Sequence, residues 1–272
     1  MKYSIISWIL AVFITLTAAV YQHMTGPTHP LRGKADFAGQ SISYRLLRSH
    51  DTGDLPVILS LPDTSVKATL IYKRFKTSDS WTESPMIFAG GQAAGFLPHQ
   101  PPAGKLEYYL RLSKGGQEMV IPSQHAVVAR FKGAVPAVIL GTHILLMFIA
   151  MLLSNRALME ALFNGSGQRV YTLLTVITLF LGGMIFGPLM QKYAFGEFWT
   201  GVPFGFDLTD NKTLLAMIAW LVALWQAYRT QASRKRWWIV IAGVILLAIY
   251  SIPHSVLGSE LNYASGQIQT GQ

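Results

Sequence analysis

The chain has 272 residues, of which 51% are hydrophobic and only 13% charged, with a mean hydropathy of +0.36 and a formal net charge of +9. Soluble domains carry about 25% charged residues, so this composition points to a membrane protein. The absence of cysteine excludes disulfides, thiolate metal sites, iron–sulfur clusters, covalent haem attachment and cysteine nucleophiles.

The first apolar run covers residues 4–21, preceded only by Lys2. Ala18 and Ala19 are small, as at a signal cleavage site, but the run is long for a signal peptide and ends without a clean A-x-A. It is therefore expected to be an uncleaved anchor, residues 1–21, with a cleaved signal peptide as the alternative. From residue 22 to 134 prolines, glycines and charges return. Short alternating segments such as SISYRLL, KATLIYKRF and KLEYYLRLS are separated by turn signals such as LPDTS and SKGGQ. In KLEYYLRLS, Leu106, Tyr108, Leu110 and Leu112 share one face while Lys105, Glu107, Tyr109, Arg111 and Ser113 share the other. This period-2 pattern predicts an all-β sandwich with one buried and one wet face per strand.

Apolar runs resume at 135–153, 170–190, 214–228 and 237–257, each long enough to cross a bilayer core of about 30 Å. They predict a four-helix bundle over 135–258, with an outer loop at 191–210 and a tail at 259–272. Arg156 and Arg169 fall between the second and third runs, and Arg229, Arg234, Lys235 and Arg236 between the fourth and fifth. The bias of Lys and Arg toward cytoplasmic loops places both stretches inside, in agreement with Lys2. The β domain, the 191–210 loop and the C-terminus then lie outside. In a bacterial cell that side is the periplasm and the membrane is the inner one. The expected fold class is α+β: five transmembrane helices with an outer immunoglobulin-like sandwich.

Of seven histidines, only His143 and His254 fall in apolar runs. His143 lies about 12 Å below the outer start of its helix, and His254 within about two turns of the outer end of its own. An ionisable residue inside a membrane suggests function. Two histidines at matching depth could ligate haem b axially without any cysteine. Met147 and Met151 extend the His143 face, and Gly182, Gly183 and Gly187 would let a flat macrocycle or another helix approach. The competing expectations are histidines that only hydrogen-bond or meet headgroups, glycines that only pack helices, and proton transfer or a metal at the pair.

The outer loop is dense in aromatics and glycine, with Phe195, Phe198, Trp199, Phe204 and Phe206 among Gly196, Gly201 and Gly205. Such a loop could cover a cofactor, yet aromatics also belong at any membrane interface. Asp210 or its neighbours would cap the next helix. A divalent cation at Asp207 and Asp210 is disfavoured by Lys212 beside them. Walker, GxGxxG, HExxH and GxSxG signatures are absent. The helices also lack the buried carboxylates or arginines expected of a pump, with Glu160 assigned to a cytoplasmic loop. Nucleic-acid binding is disfavoured because the basic residues are spread over strands or serve topology.

Three segments carry resemblances. FLPHQPPAGKLEYYLRLSKGG resembles a turn and strand of bacterial immunoglobulin-like and fibronectin-III-like domains, as found on uncharacterised inner-membrane proteins, which implies fold alone. HSVLGSELNYASGQ resembles the tail of small bacterial membrane proteins suspected of binding haem, at His254, Gly258, Leu261 and Tyr263. The outer loop is similar in type to the tryptophan-rich loop of cytochrome c assembly proteins at Gly196, Phe198, Trp199, Asp207 and Trp220. Its departures are the missing Trp-x-Trp-Asp core and flanking histidines. The paired histidines, with the tail and loop resemblances in support, lead to the expectation of a haem-b-binding subunit in electron transfer or haem handling, with His143, His254, Met147, Gly183 and Trp199 at the cofactor and His143 and His254 on the iron. The alternative is a cofactor-free scaffold or assembly factor whose sandwich binds a periplasmic or membrane protein partner. Either is a non-catalytic role.

Overall fold

The computed structural model describes residues 2–229, 232–253 and 258–270. Helix α1, Lys2–Thr25, leads into eleven strands. These are β1 Leu31–Phe37, β2 Gln40–Leu46, β3 Ser49–His50, β4 Leu55–Ser60, β5 Lys67–Arg74, β6 Thr82–Pro85, β7 Ile87–Ala89, β8 Gln92–Leu97, β9 Lys105–Lys114, β10 Gln117–Ile121 and β11 Val127–Phe131. Helices α2 Ala137–Leu162, α3 Gln168–Leu179, α4 Gly187–Phe195, α5 Leu208–Arg229 and α6 Ala232–Ser251 follow, with a π-helical turn at Phe180–Phe186 joining α3 to α4. A short hairpin, β12 Glu260–Leu261 with β13 Ile268–Gln269, closes the described chain.

Three helical segments are long and apolar enough to cross a membrane: Ser4–Thr25, Ala137–Leu162 and the continuous Gln168–Phe195. Helix α5 carries Asp210, Lys212 and Arg229, and α6 opens with Arg234, Lys235 and Arg236, so both are more polar than these three.

Strands β3, β11, β9, β5 and β6 form one sheet, with β10 also paired to β9, and β4, β8 and β7 form another. A single apolar core draws on both sheets: Leu55, Val57 and Leu97 from the smaller, and Leu70, Leu106, Tyr108, Leu110 and Phe131 from the larger. The alternation expected for β9 holds, with Leu106, Tyr108, Leu110 and Leu112 buried. The SKGGQ signal makes the two-residue turn from β9 to β10, where Gly115 and Gly116 both have positive φ as a type I′ turn requires. Most pairings are antiparallel, but β3 runs parallel to β11.

Helix α2 corrects the sequence reading of its C-terminal end. Ser154, Asn155 and Arg156 do not begin a loop. They are helical and fully buried, because α1 and α3 pack over them. Arg156 pairs with Glu160 at 2.6 Å and lies against the rings of Trp8 and Tyr171, 5.4 and 4.6 Å from its guanidinium carbon. Glu160 also accepts the backbone N–H of Gly167 at 2.8 Å, satisfying a donor at the start of α3. Asn155 donates to Thr15 of α1 at 3.0 Å, and Gln22 of α1 donates to the Tyr250 carbonyl of α6 at 3.1 Å. The expectation that the helices hold no buried arginine or carboxylate is thus wrong, since Arg156 and Asp210 are both buried. Arg156 is met by Glu160 one turn on and by Ser4 of α1, and Asp210 by Gln191 and Thr200.

Candidate functional site

A cavity of about 540 Å³ opens where the β domain meets the helices. Its apolar wall comes from α2, which contributes Ile144, Met147, Phe148 and Met151. Its polar side is built by Arg130 and Lys132 at the end of β11, Gln191 of α4, Asp207 and Asp210 at the start of α5, and Ser259 of the tail. Ala19 and Gln22 of α1 and Tyr250 of α6 complete it.

His143 lies in this cavity. Its Nδ1 is 2.9 Å from the carbonyl oxygen of Gly182. A carbonyl only accepts, so Nδ1 carries the proton and Nε2 of the neutral ring keeps its lone pair. The acceptor is placed by the π-helical turn, in which the Gly187 N–H reaches back five residues to the same Gly182 oxygen. Pro188 follows directly and has no N–H to offer the preceding turn, a local reason for the ladder to leave α-helical register here. Gly182 packs closely on α2: a Cβ there would lie 2.9 Å from Leu146 Cβ and 3.1 Å from Met147 Sδ.

Three of the residues expected at a cofactor, His143, Met147 and Gly183, line one cavity. The space left by Gly183 is taken by α5, since a Cβ would lie 2.9 Å from Thr213 Cγ2, so this glycine chiefly serves helix contact. Trp199 stands apart: its indole donates to the Val202 carbonyl at 3.1 Å and it is not among the lining residues. The aromatic loop does not form a lid. Phe204 and Phe206 are 82% and 74% exposed, and only Phe195 and Asp207 at its ends reach the cavity. His254 lies outside the described residues. Of the residues matched in the tail, Gly258 lines the cavity, while Leu261 and Tyr263 bond to Ala103 and Lys105 at the edge of the β domain.

The two aspartates are committed to protein donors. Asp210 accepts the Thr200 N–H at 2.6 Å and Gln191 at 3.1 Å, and Asp207 accepts the N–H and hydroxyl of Ser259 at 2.9 and 3.0 Å. Lys212 donates to the Ile252 carbonyl at the end of α6, at 2.7 Å. No cluster of three metal-ligating side chains occurs among the described residues.

Sequence reasoning missed Arg130. It is only 7% exposed, stacks 5.3 Å above the ring of Phe195, and its Nη1 is buried without a hydrogen-bond partner. Burial lowers its pKa, and the charges of Asp207 and Glu260 partly oppose that. The available signal was the last strand before an apolar run, where a cation sits among residues too apolar to face water, Ala129 and Phe131.

No family model matches the chain, and no curated protein matches it. Among solved structures, a Br derivative of BhCBM56 is similar over 38% of this chain and 92% of its own, at 12% identity and a TM-score of 0.24. That likeness is too slight to support an argument.

Proposed function

We propose that this chain is a five-span membrane protein that binds haem b in the cavity, with His143 as an axial ligand, and serves electron transfer or haem handling. The observation that carries the reading is the His143–Gly182 hydrogen bond. It fixes the tautomer and leaves Nε2 free for iron, as partners of metal-bound histidines do. The cavity offers an apolar, methionine-bearing wall beside that nitrogen and lies in the size range of cofactor sites. Bound haem would supply one-electron chemistry. The chain's own part would be to orient the ring, exclude water along α2 and present the site at the foot of the β domain. His254 remains the candidate for the second axial position.

The membrane reading is supported by large exposed apolar side chains on the helices, such as Ile9, Phe13, Val138 and Leu145. Basic residues favour an inner-membrane orientation with the β domain, read as an immunoglobulin-like sandwich, on the periplasmic side. There it would dock a periplasmic or membrane protein partner.

The test is the optical spectrum of detergent-purified protein, oxidised and reduced, from cells supplied with haem. Sharp reduced α and Soret bands, lost in both His143→Ala and His254→Ala, are expected. A colourless, folded protein would exclude haem and leave a cofactor-free scaffold as the function.

A further inference from the structure

Arg130 has no role in iron ligation, yet it is the least solvated cation of the cavity. The residue is only 7% exposed, and its Nη1 is buried without a hydrogen-bond partner. An arginine withdrawn from water needs a counter-charge, and a carboxylate meeting its planar fork is the favoured one. The acidic residues around it do not fill that need. Asp207 and Asp210 are occupied by Ser259, Thr200 and Gln191. Glu260 pairs with Lys76 and Lys105. Asp51 lines the cavity but is exposed, and it accepts the neighbouring Thr52 N–H at 3.0 Å. Lys132, two residues beyond Arg130, lines the same cavity and has no ion-pair partner among the described residues.

We propose that Arg130 and Lys132 bind the carboxylates of the cavity's occupant, so that the site selects an acidic amphiphile inserted with its charged edge toward the β domain. This rests on the haem reading for the identity of the ligand, whose carboxylates are then the two propionates. The layout agrees. The cations lie at the end of β11, His143 follows along α2, and Met147 and Met151 continue the wall for about 12 Å beyond it. A flat molecule with acids at one edge and an apolar opposite edge meets, in order, the cations, the histidine nitrogen and the methionines.

The experiment titrates the detergent-solubilised full chain with haem b and with haem b dimethyl ester, whose propionates carry no charge. Wild type, Arg130→Gln, Arg130→Lys and Lys132→Gln are compared by how the ratio of the two affinities, corrected for each porphyrin's partition into protein-free micelles, changes between them. Wild type should favour haem b about tenfold or more, the size of a charge-assisted contact. Arg130→Gln should remove most of that preference while the histidine-ligated spectrum persists, and Arg130→Lys should restore part of it. Lys132→Gln, at a half-buried position tolerant of change, should also reduce it and carries the test if Arg130→Gln does not fold. Equal affinities for acid and ester in the wild type, or a preference unchanged in both glutamine variants, would overturn the carboxylate assignment while leaving haem binding in place. No histidine-ligated spectrum with either porphyrin would overturn the haem reading itself, and this inference with it.

Discussion

The imidazole of His143 does two separable things. Its Nδ1–H holds the carbonyl of Gly182, and its ring borders a space that a ligand can occupy. His143→Gln keeps a donor for the carbonyl but gives iron no comparable nitrogen. On the haem proposal, the expected outcome is loss of the histidine-ligated spectrum with a thermal unfolding midpoint close to wild type, because the hydrogen bond at stake is worth about 1 kcal/mol. Gly182→Ala should act the other way. Its methyl would meet Leu146 Cβ at 2.9 Å and force α2 from the turn, a destabilisation of about 1–3 kcal/mol by denaturant titration in detergent. At this scale the sequence shows a histidine inside an apolar run, which is enough to single it out. It does not show the acceptor, because Gly182 is 39 residues away and the contact exists only once two helices have packed. Arg130 was hidden for a related reason. Its sequence neighbours predict an ordinary strand end, and only the approach of Phe195 buries it.

Among the elements, α5 packs chiefly against α6 and α3. Trp220 is fully buried in a core shared with Ala150, Val176, Leu179 and Leu246, and its indole nitrogen has no partner. Trp220→Ala should therefore cost about 3–5 kcal/mol, whereas Trp220→Phe, which removes the unsatisfied donor and leaves a much smaller cavity, should cost less. Unfolding midpoints of the two variants in one detergent decide this. Equal losses would overturn this ranking. The extent of α2 was misjudged by the same logic that found it. Hydropathy ends the span at Leu153 because Ser154, Asn155 and Arg156 are polar, yet the helix continues to Leu162, where Thr15 receives Asn155, and Ser4 and Glu160 receive Arg156. Strand β9, by contrast, was legible at each position, since one sheet face meets the core and the other meets water.

Across the molecule, the tail ties the β domain to the helices. Ser259 bonds to Asp207, Leu261 to Ala103, Tyr263 to Lys105, and Thr270 to the Phe206 N–H. Two-residue strands have no periodicity to detect, so this return of the chain left no trace in the sequence pattern. Its charged contact is Glu260 between Lys105 and Lys76. Burial pushes the Glu260 carboxyl up, but the two lysines outweigh it and leave the pKa below the ordinary 4.5. For Lys105, burial costs the ammonium more than the shared carboxylate returns, so its pKa is lowered, and Glu260 is the partner that gains. A carboxylate with a depressed pKa stabilises the folded state at pH values above its unfolded pKa, and that contribution is lost as pH falls through the folded value. Proteolysis at the tail should therefore rise as pH drops below about 4.5. In Glu260→Gln the tail should be cut faster at neutral pH, and the acid-dependent rise should be reduced.

The π-helical turn has one more consequence, and it concerns phase. An α-helix advances about 100° per residue, so the extra residue taken up between Phe180 and Phe186 sets the direction in which all of α4 looks. Deleting one residue there would let the helix run straight and would swing Met190, Gln191 and Ala194 round its axis, away from the space they now border. The single irregular turn therefore acts as the clocking element of the half of the bundle next to the β domain. It aims one carbonyl at His143, and it aims the whole following helix as well.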